Sequence, residues 1–537
     1  MESRPRCGRL PRARPGTGRH RAEQRPGGIP AVTAPAVIVS GDRQVTRDAL
    51  MARVRRAATG FSALGVGPGD CVALLLRNDF SFLEASLAAT TLGGYAVPIN
   101  WHWKPDEVAY LLRDCEARIV VVHADLAHLL SEAPEGLTIL VVPTPPEAAA
   151  AYGIPPGQHP APGEDWDAFI ARHAEWDRPP QPARESMIYT SGTTGRPKGV
   201  RRQPPTPEQA AATARNRAQI YGLVPGIRAL VPGPMYHSAP NGFGLRAVPL
   251  SEVLVLMPRF DPEETLALIE RHRITTVFLV PTMMVRLLRL PEEVKRRYDL
   301  SSLRHVTHAA APCPPEVKQA MLDWWGPVIH EFYGATDLGA PTACTPEQWL
   351  AKPGTVGTLT EGAIVKILGA NGEECPVGVP GEIFASVAYM PDFTYNKRDG
   401  ERRAVELGGL ITVGDVGYFD ADGYLFLCDR KRDMVISGGV NIYPAEIEAV
   451  MIGIPGVLDC AVFGIPDAEY GESLCAAVRA APGTTEATIR EALKAKLANF
   501  KVPRVIDFHD ELPRDDSGKL LKRKLREPYW QGAGRAI

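Results

Sequence analysis

The stretch CVALLLRNDFSFLEASLAATTLGGYAVPI, residues 71–99, decides the fold. A short apolar run predicts a strand at Cys71–Leu75, a longer run of helical spacing predicts a helix at Asp79–Leu92, and a second apolar run predicts a strand at Tyr95–Ile99. Two strands joined by a helix lie parallel in one sheet, because the crossover returns the chain to the same end. The segment therefore predicts an α/β fold whose mostly parallel sheets have flanking helices.

The same alternation of strands and helices continues on both sides of this unit. Thr46 is placed to cap a helix, because its hydroxyl can accept a hydrogen bond from a first-turn N–H. The segment Pro143–Pro182, rich in Pro, Ala and Gly, is expected to be a surface connection. The other predicted elements are helices at Thr46–Leu64, Lys104–Cys115, Pro262–Arg271 and Pro315–Trp325, and strands at Ala117–Val122, Leu250–Leu256 and Thr275–Val280.

The pattern changes in the last third of the chain. From Gly354 to Leu427 short strands alternate with glycine-containing turns, which predicts a β-rich, antiparallel subdomain. After Asp433 a compact stretch of mixed elements follows, with helices predicted at Pro444–Met451 and Thr485–Leu497. We therefore expect a large N-terminal domain and a small α+β C-terminal domain.

The domain boundaries follow from these changes and from the composition of the N-terminus. The first 28 residues contain eight arginines among prolines and glycines, with few apolar residues to form a core. Such a composition is typical of a disordered tail. The predicted divisions are a tail at 1–28, a large domain at 29–429 and a small domain at 430–530.

Charge and cysteine content exclude several classes of protein. The net charge of −2 gives no support to a nucleic-acid partner or an anionic membrane surface. The nine cysteines are odd in number and none forms a CxxC pair, which favours reduced thiols in a cytoplasmic protein over a zinc site or a disulfide framework. No apolar run approaches the roughly 18 residues that span a bilayer, so no integral membrane segment is expected.

The segment MIYTSGTTGRPKGV, residues 187–200, has the chemistry of a phosphate-binding loop. Its glycines allow backbone N–H groups to approach an anion, and its hydroxyls and lysine add ligands. The P-loop of nucleoside triphosphatases is excluded, because Gly192 and Gly195 are three apart and Lys198 is followed by Gly199. A flexible linker explains the glycines but not the Arg-Pro-Lys-Gly ending. The candidate phosphate ligands are Thr190, Ser191, Gly192, Thr193, Thr194, Gly195 and Lys198.

This loop resembles the signature loop of the adenylate-forming superfamily, which includes acyl-CoA synthetases, aryl-CoA ligases, luciferases and the adenylation domains of peptide synthetases. Further segments resemble motifs of that family in the same order, and the resemblance covers Ile38 to Arg526. They are PMYHSAPN at 234–241, HAAAPCP at 308–314, EFYGATDLG at 331–339, ITVGDVGY at 411–418, VISGGVNIYPAE at 435–446 and LPRDDSGKLLKRK at 512–524.

The resemblance implies roles for residues of the first two of these segments. His237 would stand between the acyl pocket and the nucleotide. Ala310 and Ala311 would lie along the adenine, where small side chains allow close backbone approach.

The segment at 331–339 is similar to the family's Tyr-Gly-x-Thr-Glu motif, which begins here with Tyr333 and Gly334. Tyr333 would stack on adenine, and Thr336 would meet the α-phosphate. Asp337 stands where the family has glutamate as a Mg²⁺ ligand, and a hard oxygen ligand is kept there. The shorter side chain of aspartate makes the metal geometry a point to be checked.

The resemblance also implies roles for the C-terminal motifs. Asp415 would accept hydrogen bonds from the two ribose hydroxyls, in a motif where Val413 replaces threonine. Arg430 would contact ribose or phosphate. The small domain would rotate between two half-reactions.

Three further residues complete the site that the resemblance implies. Gly438 and Gly439 would line a thiol tunnel. Lys519 would contact the carboxylate and the α-phosphate during adenylation. The basic residues that follow it, Lys522, Arg523 and Lys524, are expected on the surface.

Taken together, the motifs imply an ATP-dependent acid–thiol ligase with ATP, Mg²⁺ and coenzyme A as cofactors and a small carboxylic acid as substrate. The sequence of residues 234–241 and 282–306 most resembles the corresponding segments of fatty-acyl, bile-acid and steroid-side-chain CoA synthetases. A ligase that loads an acyl carrier protein is an alternative. A nucleotide-binding homologue with weak catalysis is another, because Asp337 and Val413 depart from the family pattern.

Overall fold

The computed structural model describes residues 35–155, 161–190, 197–438, 440–514 and 520–531. By compactness the chain divides into two units, Met1–Pro35 and Ala36–Ile537, and every element below belongs to the second. The predicted disordered tail at 1–28 lies outside the described residues.

The strands vary from two to eleven residues. In chain order they are β1 (Val37–Ser40), β2 (Arg43–Thr46), β3 (Cys71–Leu75), β4 (Tyr95–Pro98), β5 (Ile119–His123), β6 (Thr138–Val142), β7 (Glu164–Asp165), β8 (Tyr189–Thr190), β9 (Lys198–Arg202), β10 (Ile227–Val231), β11 (Ser251–Leu256), β12 (Thr276–Leu279), β13 (His305–His308), β14 (Ile329–Ala335), β15 (Gly339–Cys344), β16 (Thr358–Leu359), β17 (Ala363–Leu368), β18 (Gly381–Val387), β19 (Phe393–Tyr395), β20 (Glu406–Leu407), β21 (Leu410–Phe419), β22 (Leu425–Arg430), β23 (Val435–Ser437), β24 (Val440–Ile442), β25 (Val457–Asp467), β26 (Gly471–Ala480) and β27 (Val505–Phe508).

The helices alternate with the strands through most of the chain. They are α1 (Arg47–Ala63), α2 (Phe80–Thr91), α3 (Pro105–Asp114), α4 (Pro146–Tyr152), α5 (Trp166–Ala171), α6 (Pro207–Tyr221), α7 (Ser238–Ala247), α8 (Pro262–His272), α9 (Pro281–Leu288), α10 (Glu292–Lys295), α11 (Pro315–Trp325), α12 (Pro346–Ala351), α13 (Asp399–Ala404), α14 (Pro444–Ile452), α15 (Glu486–Lys496) and α16 (Lys522–Trp530), with 3-10 helices at Ala124–Leu130 and Asn499–Lys501.

Two sheets with parallel centres form the first part of the fold. The larger has nine strands in the order β16-β15-β14-β13-β12-β10-β11-β1-β2, parallel from β14 to β1 and antiparallel at both edges. The second has the order β4-β3-β5-β6-β7 and is parallel throughout. All residues of β3, β4 and β5 are buried, as expected for strands covered on both faces. This confirms the predicted α/β fold.

The remaining sheets are mainly antiparallel. Strands β17, β18, β20, β21 and β22 form one, and β8, β9 and β19 form a small three-stranded sheet. The last sheet has the order β24-β23-β26-β25, with β27 added parallel to β26. The change to antiparallel β structure that was predicted after Gly354 is therefore confirmed.

Helix boundaries follow local capping. The Thr46 hydroxyl accepts a hydrogen bond from the Ala49 N–H at 3.2 Å, which confirms the predicted N-cap of α1. Asp79 caps α2 in the same way through the N–H of Ser81.

The predicted surface connection at Pro143–Pro182 is wrong. This segment contains α4, β7 and α5, and α5 buries Trp166 and Phe169. Both rings pack on Phe61 of α1, with ring centroids 5.9 and 6.1 Å apart. Burial of two large aromatic side chains outweighs the high Pro, Ala and Gly content of the segment.

Among the described residues, no helix combines the length and the apolar character needed to cross a membrane.

Candidate active site

Two of the predicted segments meet at the carboxyl ends of strands in the large sheet. Residues 331–339 run along β14 and into the turn beyond it, and residues 234–241 follow β10 and begin α7. The Thr336 hydroxyl donates a hydrogen bond to the Ser238 hydroxyl at 3.0 Å. His237 precedes Ser238 as the N-cap residue of α7, so it lies beside this contact. Ligands of open α/β sheets bind at this end of the strands.

Asn78 holds the His237 segment in place, and sequence reasoning missed it. Its side-chain amide donates to the carbonyls of Gly233 at 2.8 Å and Met257 at 3.0 Å, and its carbonyl accepts from the Met235 N–H at 2.8 Å. Asn78 is buried, so these bonds replace water. The only local signal was a polar residue at the end of an apolar strand.

A chain of polar contacts joins the motif at 331–339 to the motif at 411–418. The Tyr333 hydroxyl donates to one carboxylate oxygen of Asp415 at 3.0 Å. The Arg430 Nε lies 3.2 Å from the other oxygen. The structure thus brings together three of the residues that the sequence assigned to adenosine binding.

Gly334 follows Tyr333 in β14, where the backbone leaves no room for a side chain. A Cβ atom at this position would lie 2.0 Å from the carbonyl oxygen of Gly339. The glycine is therefore required by the close approach of β14 and β15.

Asp337 lies behind Thr336 and is mostly enclosed. Its Oδ2 accepts a hydrogen bond from the Tyr395 hydroxyl at 3.3 Å, whereas its Oδ1 is buried and has no hydrogen-bond partner among the described residues. Burial raises the pKa of this carboxyl, against the opposing charge of Arg202. A buried oxygen without a partner is a position where a cation would be stabilised.

Arg202 fixes the backbone of the same segment, and sequence reasoning missed it as well. One guanidinium nitrogen donates to the carbonyls of both Thr336 and Asp337 at 2.7 Å, and another donates to Pro391 at 2.8 Å. Arg202 is 4% exposed, so its position is set by these contacts.

The ends of the predicted phosphate loop are held next to each other. Thr190 in β8 pairs with Lys198 in β9, so the two residues are cross-strand neighbours. Residues 191–196, with the candidates Ser191, Gly192, Thr193, Thr194 and Gly195, lie outside the described residues. Tyr189 anchors the first strand by donating to an Asp114 carboxylate oxygen at 2.6 Å.

Lys198 has an ion-pair partner that the sequence did not predict. Its ammonium group pairs with Glu401 and lies 5.0 Å from the centroid of the Tyr395 ring. The same Tyr395 donates to Asp337, so Lys198 and Asp337 both contact this aromatic side chain.

The segment at 308–314 begins with the buried His308, the last residue of β13. Ala310 is exposed and has a φ of 76°, and Ala311 is half-buried. A left-handed conformation costs an L-residue roughly 1–2 kcal/mol, and such strain concentrates at functional sites.

In the C-terminal part, Gly438 lies in the turn between β23 and β24. Gly439 and Lys519 lie outside the described residues. The expectation of a surface position is wrong for Lys522, whose Nζ lies 2.8 Å from Glu448 with 17% of the side chain exposed. Although burial opposes it, the charges of Glu448 and Asp429 raise the pKa of this half-buried ammonium group. Arg523 and Lys524 are exposed, as predicted.

Parallel sheets with a polar site at their carboxyl ends, preceded by a glycine- and threonine-rich loop, define an enzyme of the adenylate-forming ligase class. Sequence comparison agrees, because the family described as AMP-binding enzyme matches residues 18–390, and its C-terminal domain matches residues 446–519. The chain therefore belongs to the AMP-binding enzyme family.

Individual relatives extend this similarity over nearly the whole chain. A fatty acid–acyl-carrier-protein ligase from Streptomyces coeruleorubidus is 30% identical over 521 residues, covering 94% of this chain and 95% of the relative. A long-chain-fatty-acid–CoA ligase from Mycobacterium tuberculosis is 32% identical over 500 residues, covering 91% and 94%. The ATP-bound structure of MatB from Rhodopseudomonas palustris is similar with a TM-score of 0.79 and 26% identity, covering 94% of this chain and 98% of that chain.

Proposed function

We propose that this protein is an ATP-dependent carboxylic acid–CoA ligase. In the first half-reaction a carboxylate oxygen of the substrate attacks the α-phosphorus of ATP, the bond to pyrophosphate breaks, and an acyl adenylate forms. In the second, the sulfur of coenzyme A attacks the acyl carbon, AMP leaves, and the thiol proton passes to solvent. The mixed anhydride is the reactive species, because AMP is a far better leaving group than hydroxide.

The observation that carries the proposal is the contact between Thr336 and Ser238. It joins the start of α7, with His237, to the motif that would meet the α-phosphate. A carboxylate beside His237 and an α-phosphate beside Thr336 would then be neighbours. Holding two reactants in contact is itself a large source of rate enhancement.

The adenosine part of ATP would lie between β13 and β21. Tyr333 would stack on the adenine, with Gly334, Ala310 and Ala311 allowing close approach of the backbone. Asp415 would accept hydrogen bonds from the ribose hydroxyls. Tyr333 and Arg430 already hold one oxygen each of that carboxylate, which supports a preorganised ribose site.

Asp337 would hold Mg²⁺. Its buried Oδ1, which has no hydrogen-bond partner among the described residues, fits a hard cation. The described part of the chain contains no group of three metal-ligating side chains that could hold the ion by themselves. Mg²⁺ is commonly bound by one or two carboxylates with phosphate oxygens and water completing the shell. When bound, the ion would neutralise negative charge on the pyrophosphate.

The remaining roles follow the family resemblance. Thr190, Lys198 and the loop between them would hold the pyrophosphate, Lys519 would stabilise charge at the reacting oxygens, and Gly438 with Gly439 would line the thiol path. The domain division at 429/430 would let the small domain turn between the half-reactions.

Carboxylate-dependent exchange of pyrophosphate into ATP tests the first half-reaction. We expect exchange in the unmodified enzyme with at least one acid, and its loss in Lys519→Ala. Lys524→Ala is a matched control, because Lys524 is exposed on α16. Absence of exchange with every acid would favour a nucleotide-binding protein without catalysis.

The acceptor needs a second assay, because the two relatives described above use different acceptors by name. Purified enzyme is offered an acid, ATP and either coenzyme A or a carrier protein bearing phosphopantetheine. We expect acyl-CoA to form. Transfer to the carrier alone, with coenzyme A untouched, would contradict the CoA ligase and support the carrier-protein ligase.

A further inference from the structure

Three arginines converge on one carboxylate next to the candidate active site. The two guanidinium groups of Arg217 and Arg246 share a single oxygen of Glu185, at 2.5 and 2.6 Å. The Arg202 Nε lies 3.7 Å from the other oxygen. Arg202 also donates hydrogen bonds to the carbonyls of Thr336 and Asp337. Arg217 and Arg246, in contrast, have only Glu185 as an ion-pair partner among the described residues. The cluster therefore carries surplus positive charge.

The side chains of the cluster are partly exposed to solvent. The exposed fractions of the side chains are 20% for Arg217, 28% for Arg246 and 28% for Glu185. Although burial opposes it, the charges of the arginines lower the pKa of Glu185 to about 2. Burial and the charge of Arg217 lower the pKa of Arg246 to about 10. At neutral pH Glu185 is therefore an anion and Arg246 a cation. Arg217 adds a second guanidinium group to the same carboxylate.

Helix α7 connects this cluster to the reacting end of the site. Ser238, Gly242 and Arg246 follow one another at intervals of four residues and so lie on one side of the helix. Ser238 contacts Thr336, and Arg246 turns back so that its Nη1 donates to the Gly242 carbonyl at 3.0 Å. The Arg246 guanidinium is therefore about one helical turn, roughly 6 Å along the axis, from Ser238.

Gly242 makes this arrangement possible. A Cβ atom at position 242 would lie 2.8 Å from the Arg246 Nη1, so a side chain there would displace the guanidinium. One side of α7 thus presents a hydroxyl at the reacting end, a position without a side chain, and a cation one turn away.

We propose that the carboxylic acid activated by this protein carries a second anionic group, which binds Arg217 and Arg246. This inference rests on the proposed function, because it places the reacting carboxylate beside Ser238 and Thr336. Guanidinium groups bind carboxylates through paired, charge-assisted hydrogen bonds. The positive charge of the arginines favours dicarboxylic acids over unbranched monocarboxylic acids. The spacing of roughly 6 Å between Ser238 and the Arg246 guanidinium favours chains of about four to eight carbons.

Matched pairs of acids test the proposal on the unmodified enzyme. Pyrophosphate exchange is measured with glutarate against pentanoate, adipate against hexanoate, and suberate against octanoate. We expect kcat/KM for the best dicarboxylate to exceed that of its monocarboxylate partner by about 10- to 100-fold, the usual effect of hydrogen bonds to a charged group. Equal or better activity with the monocarboxylates at every length overturns the proposal while leaving the ligase activity standing.

Two variants locate the effect. Arg246→Gln should reduce the ratio of kcat/KM within each pair to about one to three. Glu185→Gln removes the competing carboxylate and should raise the ratio. Arg215→Gln is the matched control, because Arg215 lies on α6 with 60% of its side chain exposed and pairs with Glu361 instead of Glu185. Thermal unfolding verifies that each variant is folded.

The outcomes separate the two proposals. An unchanged ratio in folded Arg246→Gln overturns the second anionic site alone. Absence of exchange with every acid overturns both the ligase and the site. If Arg246→Gln does not fold, the comparison of acids on the unmodified enzyme and on the Glu185→Gln variant still tests the second anionic site.

Discussion

Removal of one hydroxyl group tests whether the adenosine site is preorganised. In Tyr333→Phe the ring that would stack on adenine remains, but Asp415 loses the hydrogen bond that it accepts at 3.0 Å. A hydrogen bond to a charged group contributes about 1.5–3 kcal/mol. The Arg430 contact at 3.2 Å still restrains the other oxygen, so we expect a loss of about 1–2 kcal/mol in ATP binding.

That free energy corresponds to a rise of about 5- to 30-fold in KM for ATP. The measurement is pyrophosphate exchange at saturating acid with varied ATP. Tyr418→Phe is the control, because Tyr418 lies on the same strand as Asp415 and packs on Phe426 instead. A KM within twofold of the unmodified enzyme in Tyr333→Phe would refute the assigned role of the hydroxyl.

Three further changes have expected outcomes. Ala310→Gly should raise the free energy of unfolding by about 0.5–1 kcal/mol, because it relieves a φ of 76°, whereas Ala311→Gly should not; urea unfolding decides. Glu401→Gln should lower KM for ATP about two- to fivefold, because it releases Lys198 from its ion pair; an unchanged KM would contradict a phosphate role for this lysine. Burial and a neighbouring histidine lower the pKa of His330 from 6.5 to about 3, so its contribution to stability is complete above pH 6.5 and is lost as the pH falls toward 3. The urea midpoint should therefore fall less between pH 7.5 and pH 5 in His330→Gln than in the unmodified protein.

The sequence predicted the class of fold because its signals are local. The run of a buried strand, a capped helix and another buried strand at residues 71–99 appears in the structure with boundaries shifted by one residue at most. Residue spacing and capping act within a few residues of one another, so they can be recognised without tertiary contacts.

The predictions from sequence are wrong where contacts between residues far apart in the chain determine whether a segment is buried. The local sequence predicts a surface connection at the α5 segment, because Phe61, on which α5 packs, is about a hundred residues away in the chain. The local sequence likewise predicts a surface position for Lys522, because its partner Glu448 lies on another helix, α14.

By itself, the sequence determined the order of strands and helices and the motifs that we propose to bind nucleotide and acid. Only the tertiary structure decided which side chains hold those motifs in position, as Asn78 and Arg202 do, and that Arg217 and Arg246 share the carboxylate of Glu185. The physical reason is that hydrogen bonds and ion pairs act over a few ångströms, between residues whose proximity is created by the folding of the whole chain.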